Sequence, residues 1–444
     1  MIVVLGGGPA GRTAAITLAL GGREVTLVER DEIGGQCLHC GCMMVCALND
    51  AARSLASARH LHELGIVDSI PGIRFPRLLS EMKAVQDKIA GILDAETRGA
   101  GVTILYGREG RIDGKSVFID GERIPADAVI AATGSRPSLP DVPGIGTEGV
   151  FTPHTLSRMP ELPEEMVIIG GGIMAAEFSY IFQEFGSRIH LVSRSSLLKN
   201  LDPKLLPLVR KELEHTCIHE NTSLLSIGRE GERSRVQLRG RDGSFEIPCD
   251  AVFIAAGLAP RSERLAGIEK RTNGEVIVDM RMRTSVEGVY ACGDVTGSPC
   301  LTPVARREGF VAAENILGRD EVMDYTAIPQ SMNLFNEYAF VETDTSCAAT
   351  ASLPGPAGPG TFWSVPSGMT GVAKVSVDPE TGQLCGVEAV GPAAGIIAAY
   401  QAFLMREGIG VHEFEKFMEV HPMTDGVYPL MKYLAGKLKQ ERPS

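Results

Sequence analysis

No apolar run in this sequence is long enough to span a membrane. The longest candidates are broken by glycine, arginine or aspartate, short of the roughly 20 residues that a spanning helix requires. Excess positive charge is missing too. Lys+Arg 43 against Asp+Glu 55 gives a formal net charge of −12, which argues against a nucleic-acid partner gripped by a basic face. A targeting peptide is not expected, because a short apolar strand and a glycine turn begin at Met1 itself, and a cytoplasmic location follows as the expectation. What remains is a chain of 444 residues, 44% hydrophobic and 22% charged. That composition is ordinary for a globular protein, and the length is too great for a single core.

Cysteine is plentiful by contrast. Cys217, Cys249, Cys292, Cys300, Cys347 and Cys385 are scattered and read as small buried apolar residues. Cys37, Cys40, Cys42 and Cys46 share one short segment. In a reducing compartment such a cluster points to redox chemistry or metal binding, not to structural stapling.

The chain opens with an apolar strand over 2–5, then Gly6-Gly7-Gly8-Pro9-Ala10-Gly11, a helix over 13–20, and a strand over 24–28 that ends at Glu29. This is a βαβ unit carrying a GxGxxG turn. Gly6, Gly8 and Gly11 permit a tight turn and close approach of a pyrophosphate to the helix N-terminus, and Glu29 is placed to accept hydrogen bonds from ribose hydroxyls. A second copy follows: a strand over 166–169, Gly170-Gly171-Gly172, Ala175, a helix through Phe185 and a strand over 188–192. Its second strand ends in Val192-Ser193-Arg194-Ser195, with Lys199 shortly after and no acid where Glu29 stands in the first copy. A missing acid beside cations favours a ribose 2′-phosphate, hence NADPH over NADH. The plainer alternative is a solvated basic turn. Two copies of the unit imply two dinucleotide-binding domains.

Soon after Glu29 comes Gly34-Gly35-Gln36-Cys37-Leu38-His39-Cys40-Gly41-Cys42. Here the sequence resembles the pyridine nucleotide–disulfide oxidoreductases, the family of dihydrolipoamide dehydrogenase, glutathione reductase and mercuric reductase. Cys37 and Cys42 match its GGxCxxxxC hallmark. The resemblance continues through Ala132-Thr133-Gly134, Ala256-Gly257, Ala291-Cys292-Gly293-Asp294, Leu301-Thr302-Pro303-Val304-Ala305 and His421-Pro422, and so covers nearly the whole chain. It implies an α/β fold with two Rossmann-like domains: an FAD domain (1–150 and 285–326) interrupted by an NAD(P) domain (151–284) and followed by an α+β dimerisation domain (327–444). Pro9, Ala10, Gly35, Thr133, Gly134, Pro303 and Ala305 would join the first glycines around FAD, and Asp294 would hold its ribityl chain or pyrophosphate. Ile173, Glu177 and Gly257 would join Gly170, Gly172, Ala175, Arg194 and Lys199 around the nicotinamide cofactor. Cys42 would lie against the isoalloxazine as a charge-transfer thiolate, its pKa lowered by a helix start. Cys37, as the more exposed thiol, would exchange with a small-molecule or protein disulfide. His421 would act as acid–base across a homodimer.

The sequence departs from its relatives in three places. Gly426 stands where a glutamate usually orients the histidine, with Asp425 one residue earlier. Cys46 replaces a lysine found in many relatives, which leaves Glu177 in need of another partner. Cys40 opens Cys37-x-x-Cys40 as an alternative disulfide. Cys40 and Cys46 as inert thiols is the plain reading, and no metal-ligand set is assigned. Two other classes stay open: a flavin electron-transfer protein with a partner-specific cysteine cluster, and a redox-responsive protein that binds metal or iron–sulfur through Cys37, Cys40, Cys42 and Cys46. The last cysteine is Cys385, which disfavours the mercuric and large thioredoxin-reductase types with their C-terminal cysteines. The leading expectation is electron flow from NADPH through FAD to Cys37/Cys42 and a disulfide substrate, by chemistry that also runs in reverse.

Overall fold

Two short runs rich in β-branched residues, Ile2–Leu5 and Glu165–Ile169, are buried along nearly their whole length, as strands covered on both faces must be. The structure is a computed structural model that describes residues 1–343, 349–423 and 426–441. Each run is the centre of a five-stranded sheet. In the first sheet the order is Val289–Ala291, Ala128–Ala131, Ile2–Leu5, Val25–Glu29, Thr103–Tyr106. In the second it is Thr216–His219, Arg188–Val192, Glu165–Ile169, Ala251–Ile254, Val150–Phe151. All pairings in both sheets are parallel. Consecutive strands therefore need crossovers, and the chain turns to opposite sides of the central strand, which opens a crevice at its C-terminal end.

The crossovers are helical. α1 (Pro9–Leu20) leaves the first glycine turn, and α2 (Gly35–His39), α3 (Cys42–Glu63) and α4 (Phe75–Gly99) fill the next connection. α5 (Ile173–Phe185) leaves the second glycine turn, α6 (Leu206–Glu212) precedes the edge strand of that sheet, and α7 (Thr302–Ile316) follows the last strand of the first sheet. Because Val289–Ala291 completes the first sheet only after every strand of the second, the second sheet is an insertion in the first. The proline- and glycine-rich stretch 137–163 contributes Val150–Phe151 to the edge of the second sheet.

α1 and α7 pack closely because small residues meet there: a Cβ added to Gly309 would fall less than 3.0 Å from the Ala10 carbonyl oxygen. α3 is tied to α5 by Arg59 Nη1 to Glu184 Oε2 at 2.6 Å. Phe75, Phe178, Phe182, Phe185 and Phe253 form an aromatic cluster, each ring worth roughly 1.5–3 kcal/mol on burial.

These elements belong to one compact unit, Met1–Asp324; the second is Tyr325–Ser444. Its sheet is antiparallel, in the order Gln330–Asn333, Glu337–Glu342, Leu384–Gly391, Val372–Val377, Ala349–Pro354. α8 (Ala394–Arg406) and α9 (Val427–Glu441) pack on it. α8 leaves a stripe of Ile396, Tyr400 and Phe403 exposed at 77, 46 and 58%, at the spacing of one helical face. No helix among the described residues is long and apolar enough to cross a membrane.

Candidate active site

At the C-terminal ends of the first sheet's strands lies a cavity of about 910 Å³. Gly6, Gly8, Pro9, Ala10, Glu29, Gly35, Thr133, Gly134, Asp294 and Ala305 all line it. The three turn glycines do different things. Gly6 has φ +107°, and a Cβ there would lie less than 3.0 Å from the Ala132 carbonyl oxygen. Gly11 does not line the cavity; a Cβ there would press into the Gly6 carbonyl, so it lets α1 close on the strand. Gly8 has room in the protein, its nearest neighbour being Gly35 Cα at 3.9 Å, and so leaves space for what enters the cavity. Pro303 also stands off the wall, within the first turn of α7, where a missing N–H costs nothing.

Glu29 is buried and accepts from the Gly7 N–H at 2.6 Å and the Asp31 N–H at 2.7 Å. The turn thus orients its carboxylate. Asp294 accepts from Ser135 Oγ at 2.7 Å. Ser135, which directly follows Ala132-Thr133-Gly134, is a site residue that sequence reasoning missed. Also missed were Gln36, whose Oε1 meets His154 Nε2 at 2.9 Å, and Thr302.

Cys37 lies in α2 and Cys42 is the first residue of α3; Cys40 and Gly41 break the helix between them. Both thiols line the cavity. Hydrogen bonding from Cys42 lowers the Cys37 pKa most, against the effect of burial; Thr302 and the Arg306 charge add to the lowering, and the result is about 6. The same hydrogen bond pushes Cys42 well up, helped by burial and by the neighbouring thiolate charge. As a whole residue Cys42 is more exposed than Cys37. The Thr302 hydroxyl, 3.8 Å from Cys42 Sγ, lowers the pKa of both thiols. Iodoacetamide alkylation of Cys37, followed by peptide mapping of the reduced, flavin-free protein, is therefore expected to follow an apparent pKa near 6. Its rate should be flat from pH 7 upward and fall about tenfold per unit below pH 5. A rate still climbing through pH 8–9, as for an ordinary thiol, would contradict the assignment.

The other cysteines sort by surroundings. Burial pushes Cys40 up to about 12, against the Arg261 charge. Cys46 is exposed, and its thiol is raised by burial of the sulfur, by Cys42 and by the Asp50 and Glu177 charges, while Arg53 lowers it. Arg53, on the same helix as Cys46, thus brings a cation near the place where relatives carry lysine. Glu177 is buried on α5 and has a partner. Among the described residues the four clustered thiols do not converge as a ligand set. Cys249, Cys292 and Cys385 are buried as expected, whereas Cys217 and Cys300 are exposed: Cys217 lies on the edge strand of the second sheet and Cys300 on the cavity wall. Cys347 lies outside the described residues.

The second glycine turn repeats the first. A Cβ on Gly170 would fall less than 3.0 Å from the Ala255 carbonyl oxygen, and Gly172 faces open space. Ala175 is fully buried and takes the place of Gly11, while Ile173 begins α5. Glu29 packs against Gly7, and the matching neighbour of Gly171 is the Ser193 hydroxyl. A neutral side chain therefore stands where the first copy has a carboxylate. Arg194 and Lys199 are exposed just beyond it. Gly257 has φ +107° with open space beside it.

In the second unit His421 is exposed. Gly426 is buried, and a Cβ there would strike the Leu353 side chain. A side chain at that position would first have to displace the end of Leu353. Asp425, the alternative support, lies outside the described residues.

The sequence pattern of the pyridine nucleotide-disulphide oxidoreductases matches residues 1–309. The chain is 31% identical to the dihydrolipoyl dehydrogenase of Thermus scotoductus, over 96% of this chain and 95% of that protein. It is 28% identical to the mercuric reductase of Shigella flexneri, over 98% and 79%. Among solved structures it is similar to the HOCl-induced flavoprotein disulfide reductase RclA from Escherichia coli, with a TM-score of 0.83 and 22% identity over 100% of both chains. A family pattern that spans most of the chain, on an α/β frame with paired cysteines at the mouth of the first sheet, leaves one assignment: this protein belongs to the pyridine nucleotide-disulphide oxidoreductase family of flavoenzymes.

Proposed function

We propose that the chain is an NADPH-dependent disulfide reductase working through FAD and the Cys37–Cys42 pair. The observation that carries this reading is the pair itself: two thiols coupled by a hydrogen bond on the cavity wall, one of them acidified to about 6. The surroundings fit FAD, since Gly8 presents open space and Glu29 and Asp294 bring carboxylates to the strand ends. Bound FAD supplies hydride acceptance from the nicotinamide and two-electron delivery to the cysteine disulfide.

The protein's own part is thiol chemistry. The Cys37 thiolate attacks one sulfur of a substrate disulfide, forms a mixed disulfide and expels the first substrate thiolate, which takes up a proton. With Cys37 neutral, its hydrogen bond and its charge no longer hold the Cys42 pKa up, and only burial still does. The Cys42 proton then leaves, and its thiolate, at the N-terminus of α3 and beside Thr302, attacks Cys37 Sγ. A Cys37–Cys42 disulfide forms and the second substrate thiol departs. The balance is two electrons and two protons to one disulfide.

His421 supplies or removes those protons across a homodimer in this reading. Support comes from the apolar stripe on α8 and from Met418 and Val420, 87 and 78% exposed, which shortly precede His421 in sequence; such a surface calls for a partner. NADPH is favoured by Ser193 in place of an acid and by the exposed cations beyond it. Replacing Arg194 and Lys199 together by alanine is expected to lower kcat/KM for NADPH by about 10–100-fold and to change that for NADH less than about threefold. Anaerobic titration with NADPH tests the whole reading. The first two electrons should leave the flavin spectrum largely oxidised while a long-wavelength thiolate-to-flavin band grows. Bleaching of the flavin by those electrons would overturn it.

A further inference from the structure

A second cluster of chemistry-bearing side chains lies on the second sheet, outside the cavity that Cys37 and Cys42 line. Thr216–His219 is the edge strand, paired in parallel with Arg188–Val192 so that His190 stands opposite Cys217 and Val192 opposite His219. Residues two apart on a strand share a face. Register therefore puts His190, Cys217 and His219 on the same side of the sheet edge. Their ligand atoms all lie within 4.8 Å of one another.

We propose that His190 Nδ1, His219 Nε2 and Cys217 Sγ form a zinc site. The two nitrogens are 3.2 Å apart. Two nitrogens bound at about 2.0–2.1 Å to one tetrahedral ion stand about 3.3–3.4 Å from each other, so little movement is needed. The far nitrogen of His190, Nε2, meets Glu165 Oε1 at 3.3 Å. Glu165 is itself held by Arg233 Nη2 at 2.8 Å and Arg188 Nη2 at 3.3 Å. A carboxylate behind an imidazole fixes the proton on the outer nitrogen and turns the inner lone pair toward the metal, the usual arrangement behind a ligating histidine. The His190 and His219 rings are stacked, 21° from parallel, and His219 rests against Phe245, so the second imidazole is also positioned. Cys217 is exposed, which leaves the fourth coordination place to water. Two imidazoles and a thiolate suit zinc and reject magnesium or calcium, which take oxygen ligands.

The site would clip the edge strand of the nucleotide sheet to its neighbour and cover an exposed thiol. It is independent of the reading of the Cys37–Cys42 pair. The test uses the FAD-loaded protein, with a Cys37→Ser/Cys42→Ser control in which that pair cannot supply the thiolate whether or not it forms a disulfide. Titration with Co²⁺ should give, at one equivalent, a near-ultraviolet thiolate-to-cobalt band and the visible bands of a four-coordinate ion, both abolished by one equivalent of Zn²⁺. Cys217→Ser, a conservative change on the surface, should remove the thiolate band. His190→Ala and His219→Ala should each weaken binding at least tenfold, and Glu165→Gln about 10–100-fold. The same bands in Cys217→Ser, equal affinity in both histidine variants, or no tetrahedral cobalt spectrum in the parent protein would each overturn the site, leaving a plain imidazole–imidazole hydrogen bond.

Discussion

Cys37→Ser and Cys42→Ser should each abolish turnover of disulfide substrates, by on the order of 10³-fold or more, while NADPH oxidation by a one-electron acceptor stays within about twofold of the parent. A disulfide needs both sulfurs, so either change removes the electron store between flavin and substrate. Hydride transfer to flavin touches neither thiol, and for that reason the second activity survives. The two variants should differ in spectrum. In Cys37→Ser the remaining Cys42 has lost the thiolate neighbour that raised its pKa, so a thiolate-to-flavin band should be present without any reductant. In Cys42→Ser the remaining Cys37 loses the thiol hydrogen bond that lowered its pKa most and keeps the burial that raises it, so its alkylation should shift to higher pH than in the parent. Disulfide turnover that persists in both variants would remove the pair from the pathway and favour direct electron transfer from the flavin.

The division between what the sequence shows and what it hides follows the range of the interactions. Glycine turns are local: Gly6-Gly7-Gly8-Pro9-Ala10-Gly11 carries its own geometry, and strand, turn and helix appear at nearly the expected residues, with α5 ending at Phe185 and its following strand spanning Arg188–Val192. The cysteine hallmark is equally local. Properties set by distant residues were hidden. Thr302 reaches Cys42 from 260 positions away and lowers both thiols, while the split between them comes first from the hydrogen bond they share. Gly426 reads as a missing glutamate, but only the fold shows that the end of Leu353 lies beside it. His190 and His219 carry no motif. Their meeting depends on strand register, which makes Cys217 a surface thiol where isolated cysteines are usually buried.

The first glycine turn allows cofactor binding to be separated from folding. Gly8→Ala is expected to leave the apoprotein as stable as the parent, or up to about 1 kcal/mol more stable, because alanine narrows the unfolded ensemble where the backbone permits it. Gly8 has φ −71°, and its Cβ would meet only Gly35 Cα at 3.9 Å. The same methyl group would stand in the cavity at the N-terminus of α1. It would hold a pyrophosphate off the N–H groups there, and charge-assisted contacts are worth about 1.5–3 kcal/mol each. FAD affinity should fall about 100-fold or more. Gly11→Ala should behave differently, since its methyl group would strike the Gly6 carbonyl; the apoprotein itself should lose about 1–3 kcal/mol. Gly6→Ala combines such a clash with φ +107° and adds about 1–3 kcal/mol of backbone strain. Denaturant unfolding of the flavin-free proteins and fluorescence titration with FAD check both halves. Stoichiometric FAD at parental affinity in Gly8→Ala would move the pyrophosphate away from this turn. A flavin-free Gly8→Ala of parental stability would assign Gly8 to the ligand and Gly6 and Gly11 to the turn.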